Sequence, residues 1–270
     1  MESKYIEIGK NKRLHYVIQR FPKETKKSKK LLQKNKQPFL FFLHGVGSNY
    51  TVFKPFFHQF PNNNIITFDI RSHGKSSRAD VSVEITVEDM KKILDKEKIK
   101  NVILIGHSLG ATNALYFYKK YPKYVKKMLL FTLASKRYMR YPKLYRPFYT
   151  ILHAFFKIFK SRRKRKFIDY SKYLGKPFFY YLPLDIQQAS VTAYTKLLKE
   201  IYTHELNIEN IKIPTKCIIA KDDHFIDNYL LINDGKKNKL ITYSLISGNH
   251  ILVAKKYETI IKILKEFIEK

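Results

Sequence analysis

The chain has 270 residues, 44% of them hydrophobic, enough to bury a sizeable core, which excludes wholesale disorder. Lys and Arg number 53 against 22 Asp and Glu, a net charge of +31. Such a surface repels cations and attracts anions: nucleic acid, acidic lipid headgroups, or phosphorylated and carboxylate ligands. A single cysteine, Cys217, excludes an internal disulfide framework and a Cys-rich zinc site.

The first residues, Met1–Tyr5, have no apolar run behind their charges, and no stretch approaches the ~18 uninterrupted apolar residues of a spanning helix. The expectation is a soluble, cytoplasmic protein. The abundance of Lys, Tyr and Phe and the absence of Trp also fit a biased genome, which discounts any argument from charge alone.

In chain order, Lys4–Ile8 and Leu14–Ile18 flank the turn-like Gly9–Lys12 and predict a hairpin. Residues 22–37 form a basic connector, read as an exposed loop. Four apolar runs follow at helix-sized intervals: Phe39–Leu43, Ile65–Phe68, Val102–Ile105 and Met128–Phe131. Continuous apolar runs predict strands covered on both faces, as in a parallel sheet. Helical patterns over 49–60, 86–98 and 109–121 lie between them. The alternation predicts an α/β fold with right-handed crossovers, a mostly parallel sheet flanked by helices.

The rhythm breaks near residue 136. Lys136 to Lys176 carries 14 Lys and Arg against one acid, Asp169. Helical patterning continues to about Glu205, and strands return at 215–219 and 240–245. A last amphipathic helix carries Tyr257, Ile260, Ile261, Leu264 and Ile268. Residues 1–135 and 212–270 are therefore expected to form the core, with 136–211 a helical insertion.

Gly106-His107-Ser108-Leu109-Gly110 follows a predicted strand and opens a predicted helix, the context that a G-x-S-x-G nucleophile elbow requires. Small residues two before and two after the serine let strand and helix approach, and push the hydroxyl out above the sheet. A serine is a weak nucleophile and needs a base held by an acid. In this architecture the chain order is Ser, acid, His. Asp223 lies just past the strand 215–220 and His250 just past the strand 240–246, both where open α/β sheets put their sites. Asp222 and Asp227 rival Asp223 as the acid, the first as a solvated neighbour and the second as a helix-start residue; Asp223 is favoured. Acyl transfer also needs two backbone donors for the oxyanion. The Leu109 amide, directly after the nucleophile, and the Val46 amide, in the loop after Phe39–Leu43, are the candidates. His44, His73 and His107 lack any paired metal-ligand spacing, and there is no P-loop. Neither a metal nor a cofactor is expected. Cys217 reads as a buried hydrophobe.

Four motifs in this order resemble the α/β-hydrolase superfamily, in its branch of small esterase- and lipase-like serine hydrolases with a helical cap. His44-Gly45-Val46-Gly47-Ser48 resembles the oxyanion loop, and Asp69-Ile70-Arg71-Ser72-His73-Gly74-Lys75-Ser76-Ser77 the family's Asp-x-Arg-Gly-His-Gly-x-Ser stretch. Gly106–Gly110 is similar to the elbow, and Gly248-Asn249-His250 to the histidine turn. The resemblance covers 38–135 and 212–260. Ser72 stands where glycine is usual, Ala111 where many members have a second glycine after the elbow, and Ala220 where a glycine often precedes the acid. The resemblance implies that Asp69 and His73 organise a loop rather than react. It also implies that 136–211 is a cap, and that a serine at the elbow sets the chain apart from relatives with a carboxylate nucleophile.

The expected function is cleavage of carboxylic esters through an acyl-enzyme on Ser108, as in a carboxylesterase or monoacylglycerol lipase, with a small-molecule acyl ester as substrate. An acyl thioesterase is the near alternative. A basic protein binding anionic lipid or nucleic acid on this scaffold is the alternative from another class, and it has no need of a Ser–Asp–His set. Within the cap, Leu144, Phe148, Ile151, Leu152, Phe155 and Phe159 recur at helical spacing. Lys143, Arg146, Lys157 and Lys160 flank them, and the cluster Arg162–Lys166 follows. The favoured expectation is that this apolar face packs over the site as a lid. Peripheral contact with an anionic membrane through the same basic helix is compatible with it.

Overall fold

The computed structural model describes residues 1–21, 37–158 and 164–269. Among the described residues eight strands form one sheet: β1 (Glu2–Gly9), β2 (Lys12–Gln19), β3 (Phe39–Leu43), β4 (Ile65–Phe68), β5 (Val102–His107), β6 (Val125–Phe131), β7 (Thr215–Ala220) and β8 (Ile241–Ile246). Their order is β1-β2-β4-β3-β5-β6-β7-β8. Strands β3 to β8 pair in parallel, and the β1–β2 hairpin joins antiparallel through β4. The basic connector after the hairpin lies almost wholly outside the described residues.

The continuous apolar runs have the physical origin expected of them, because alternate side chains of each strand enter two different cores. On one face Phe41, Leu43, Leu104, Leu130 and Cys217 pack under the helices α2 (Val83–Lys96) and α3 (Leu109–Lys120). On the other, Leu40, Phe42, Ile103, Ile105 and Phe131 pack under α1 (Lys54–Gln59) and the C-terminal helix 257–269. Helix α2 starts three residues before its apolar pattern suggests. Ser82 caps it by accepting from the Ile85 amide at 3.0 Å, with Glu84 in the first turn and Lys96 in the last.

Between β6 and β7 come α4 (Pro142–Ile158), α5 (Phe178–Gln188) and α6 (Val191–Ile201). Helix α7 (Asn228–Gly235) follows β7, and α8 (Leu252–Lys255) and α9 (Tyr257–Glu269) close the chain. Among the described residues no helix is long and apolar enough to cross a membrane.

Two strand–loop junctions meet at the middle of the sheet. The chain runs from β3 outward to β4, then returns to the other side of β3 as β5, so the loops after β3 and β5 diverge from a topological switch point. Leu43 pairs with Gly106 across that point. The approach of α3 is so close that a Cβ on Gly110 would lie 2.0 Å from the Leu43 carbonyl oxygen, and one on Gly106 would lie 2.3 Å from that of Gly110.

Gly110→Ala is therefore expected to lower stability by at least about 1–3 kcal/mol, because two backbones would have to part. Thermal melts of the variant and the parent test this. An unchanged melting temperature would mean that the junction yields without cost.

Candidate active site

Ser108 sits on the one-residue turn between β5 and α3 with φ 53° and ψ −118°, a left-handed conformation that costs a non-glycine residue energy. The turn is pinned on both sides: the Ser108 amide donates to the Phe131 carbonyl of β6, and its own carbonyl accepts from Ala111 and Thr112. Asp223 follows β7 and His250 follows β8, so all three arrive at the C-terminal edge of the sheet.

They form one hydrogen-bonded chain. The Ser108 hydroxyl lies 2.8 Å from His250 Nε2, and His250 Nδ1 lies 2.8 Å from Asp223 Oδ2. The imidazole thus accepts from the serine on one side and donates to the carboxylate on the other. The other Asp223 oxygen accepts from the Phe225 and Ile226 amides at 2.9 and 3.3 Å. Burial alone would raise this carboxyl, but the charge and hydrogen bond of His250 and the two amides hold it below the usual carboxylate range. The rival acids lie elsewhere. Asp227 caps α7 by accepting from Leu230, the helix-start role anticipated for it. Asp222 is exposed, but it also accepts from the Gly248 amide and so braces the turn that carries His250.

His107, directly before the serine, donates from Nε2 to the His250 carbonyl at 2.8 Å and so ties the histidine turn to the elbow. Burial, with the nearby charge of His250, depresses its pKa to about 4, so it stays neutral near pH 7. Sequence reasoning missed this tie, because nothing local shows which carbonyl a buried histidine will meet.

The loop after β3 is held by two neutral imidazoles. His44 donates from Nδ1 to the Gly45 carbonyl and accepts at Nε2 from the Ile70 amide. His73 donates from Nδ1 to the Arg71 carbonyl and accepts at Nε2 from the Gly47 amide. Burial depresses both, His73 to about 3. Their ring nitrogens are engaged by backbone, which argues against the pair as metal ligands. Asp69 braces the same loop from below, accepting from His15, the Tyr50 amide and the Lys75 amide. Because His73 takes the Gly47 amide, the Val46 amide is left over. Among the described residues neither it nor the Leu109 amide donates to a protein acceptor. Val46 and Ser108 line the same cavity. At the surface, Glu84, Glu200 and His204 bring their ligand atoms within 4.8 Å of one another. The His204–Glu84 pair and the Glu200 bond to the Val83 amide account for that cluster.

Above Ser108 and His250 lies a cavity of about 310 Å³. Its far wall comes from the helices between β6 and β7: Tyr149 of α4, Tyr181 and Asp185 of α5, Tyr194 and Leu198 of α6. Among the described residues lining it there is no Lys or Arg. The Tyr170 hydroxyl donates to Asp185 Oδ1 at 2.6 Å and lies 3.2 Å from the Gly47 carbonyl. Gly47, at φ 80°, has no room for a Cβ, which would lie 2.5 Å from Asp185. Burial pushes the Asp185 carboxyl up to about 7, against the Tyr170 hydrogen bond that favours its charged form. The aromatic richness of this segment is plain in the sequence, but no pattern there singles out Asp185.

The favoured expectation for α4 is corrected by the structure. Leu144, Phe148, Ile151 and Phe155 are exposed rather than packed over the cavity. The neighbouring stripe turns inward instead, with Tyr145 and Tyr149 against Tyr202. Both stripes are apolar, so periodicity alone could not choose between them. Phe159, Lys160, Arg162 and Arg163 lie outside the described residues.

Comparison with known proteins agrees with this fold. The sequence model for the alpha/beta hydrolase fold matches residues 38–256. A 2-(acetamidomethylene)succinate hydrolase of Mesorhizobium japonicum is 31% identical over 100 residues, 36% of this chain and 36% of that protein. The match thus spans about a third of that relative's length. The enol-lactonase of Burkholderia xenovorans superposes with a TM-score of 0.75 at 15% identity, covering 99% of this chain and 100% of the other. A carboxylesterase structure from Nitrososphaera gargenis gives 0.73 at 14% identity, covering 98% of each. At such identities these two structures speak for the fold alone.

The Asp185 environment carries a pH signature. Between its ordinary pKa of 3.8 and about 7, the folded chain keeps a proton that the unfolded chain releases. Stability is therefore expected to fall as pH rises through that window. Asp185→Asn should flatten the slope, as read by denaturant unfolding at a series of pH values. An identical slope in variant and parent would show that the carboxyl is ionised throughout.

Proposed function

The chain belongs to the alpha/beta hydrolase fold family of hydrolytic enzymes, and on that premise we propose that it is a serine hydrolase cleaving carboxylic esters through an acyl-enzyme on Ser108. The observation that carries this reading is the continuous chain Ser108–His250–Asp223 at the floor of a cavity.

His250 Nε2 takes the proton as Ser108 Oγ attacks the ester carbonyl carbon. The carbonyl oxygen becomes an oxyanion facing the Val46 and Leu109 amides, the second at the N-terminus of α3, where the helix dipole adds to the attraction. Asp223 holds the imidazole in the accepting tautomer and stabilises the imidazolium. As the tetrahedral adduct collapses, His250 returns the proton to the leaving alcohol and the acyl group stays on Ser108. Water then repeats the sequence, losing a proton to His250 and releasing the acid. Each role falls to a residue of this chain.

Residues 136–211 act as a cap whose inner wall selects the acyl group. The cavity's walls are aromatic and aliphatic, and its size sits at the small end of ligand sites, ~300–1,000 Å³. That fits a short or medium apolar acyl chain. The Mesorhizobium relative is named for a succinate derivative, a dicarboxylate. A second carboxylate here would meet Asp185 and no lining Lys or Arg, and burying it unpaired is costly. The acyl group is therefore uncharged.

Ser108→Ala is expected to lower ester turnover by ~10³-fold or more while leaving the melting temperature within a few degrees. It should also abolish labelling by a fluorophosphonate. Retention of most activity by the variant would falsify the triad. Asp223→Asn should cost far more than Asp222→Asn, whose side chain only braces a turn. A panel of p-nitrophenyl esters with acyl-CoAs and hemisuccinate esters beside them tests the substrate class. Neutral acyl esters should lead and hemisuccinates trail; preferred turnover of hemisuccinates would overturn the uncharged-acyl reading.

A further inference from the structure

Helix α4 carries three stripes. At 100° per residue, Leu144, Phe148, Ile151, Phe155 and Ile158 fall on one face, spaced four, three, four and three residues apart. Tyr145, Tyr149 and Phe156 fall on the face turned inward. Lys143, Arg146 and Lys157 fall on a third strip, and all three are exposed. Most of the first stripe is exposed: Leu144 is 65% exposed, Phe148 54%, Ile151 70% and Ile158 77%. Phe155 is 51% exposed, with its ring edge on Phe156. From Leu144 to Ile158 the stripe runs about 21 Å. Scattered exposed apolar residues are ordinary, but a row of five in register on one helix marks a surface that something covers.

We propose that this face of α4 docks on an anionic lipid surface, with the helix lying in the interface plane. The helix has no acidic residue, and its charges are three cations, on a strip about 140° round the helix from the apolar stripe, within a chain of net charge +31. An apolar face on a helix whose only charges are cations on long stems matches the boundary between acyl chains and acidic headgroups. A second copy of the chain fits poorly. It would bring together two helices whose only charges are cations, on chains of net charge +31, with no carboxylate on either helix to pair them. The described helices are too short or too polar to span a bilayer, so the contact is peripheral. Of the basic cluster after α4, Lys164 and Lys166 are exposed and can add to the attraction. Arg165 is turned inward, donating to the Ser76 carbonyl at 2.6 Å, and belongs to the fold. The proposal does not rest on the reaction at Ser108.

Co-sedimentation of the full chain with phosphatidylcholine vesicles, with and without phosphatidylglycerol, tests the proposal. Binding is expected to the anionic vesicles, to weaken with added salt, and to be slight on the neutral ones. Phe148→Glu combined with Ile151→Glu should reduce anionic binding by about tenfold or more. The same variant should keep the parent's melting temperature and its turnover of a small soluble ester, since neither side chain lines the cavity. Lys143→Gln with Arg146→Gln and Lys157→Gln should weaken anionic binding and leave the residual neutral binding unchanged. No binding to anionic vesicles at low salt overturns the proposal. So does binding that the Phe148/Ile151 variant leaves intact, which would place the contact on diffuse charge elsewhere. Concentration-dependent dimerisation that this variant abolishes, without vesicle binding, would make the occupant a second copy and likewise overturn it.

Discussion

The arrangement depends on one tight turn. Reversing from a strand into a helix within a single residue forces Ser108 into a left-handed conformation, and the turn closes only because Gly106 and Gly110 have no side chains. The same absence of side chains lets α3 press against the Leu43 carbonyl, at the end of β3. The crowding that exposes the hydroxyl therefore also fixes where the neighbouring strand ends, and with it the loop carrying Val46. Ser108 and the loop carrying Val46 are positioned by one contact rather than by two. The left-handed turn and the close approach are sustained by the buried sheet on both sides, which supplies far more packing than the turn costs.

A second layer of organisation comes from buried histidines bonded to the backbone. His44, His73 and His107 each donate one ring proton to a backbone carbonyl, and burial keeps them neutral. For His44 and His73 the second nitrogen accepts from a backbone amide, so protonation would break a bond as well as charge a buried ring. This selectivity leaves a residue: the Gly47 amide is engaged and the Val46 amide is not. Which amide of a glycine-rich loop remains available is thus decided by a histidine 26 residues further along the chain.

The strands, the elbow and the Ser–acid–His order were legible because each rests on a local pattern or on chain order. Asp223 could be preferred to Asp227 for the same reason: one ends a strand, the other begins a helix, and each side chain accepts from the amides its place supplies. Other features needed three dimensions. Ser72 replaces a usual glycine and looks like an exchange of small residues, yet it lies at φ 63°. Its hydroxyl donates to the Ala79 carbonyl and accepts from the Ala79 amide, which offsets the strain. Asp185 is one acid in an aromatic segment until folding places it against Tyr170 and Gly47. The orientation of α4 was ambiguous in the sequence because two adjacent stripes of that helix are both apolar.

Charge, the most conspicuous property of the composition, divides sharply by location. The net +31 belongs to the molecule as a whole, whereas the described lining of the cavity holds no Lys or Arg. Cations that do not line the cavity cannot select its ligand by contact, and at distances beyond ~10 Å salt screens most of what remains. Their influence falls instead on what the protein approaches. Helix α4 joins the two regimes: Tyr149 lines the cavity above Ser108, while Phe148 and Ile151, its near neighbours in sequence, face outward. Wall and surface are thus two sides of one helix. Whatever holds the outer side constrains the inner one, because Tyr149 cannot shift without carrying the stripe on which Phe148 and Ile151 stand.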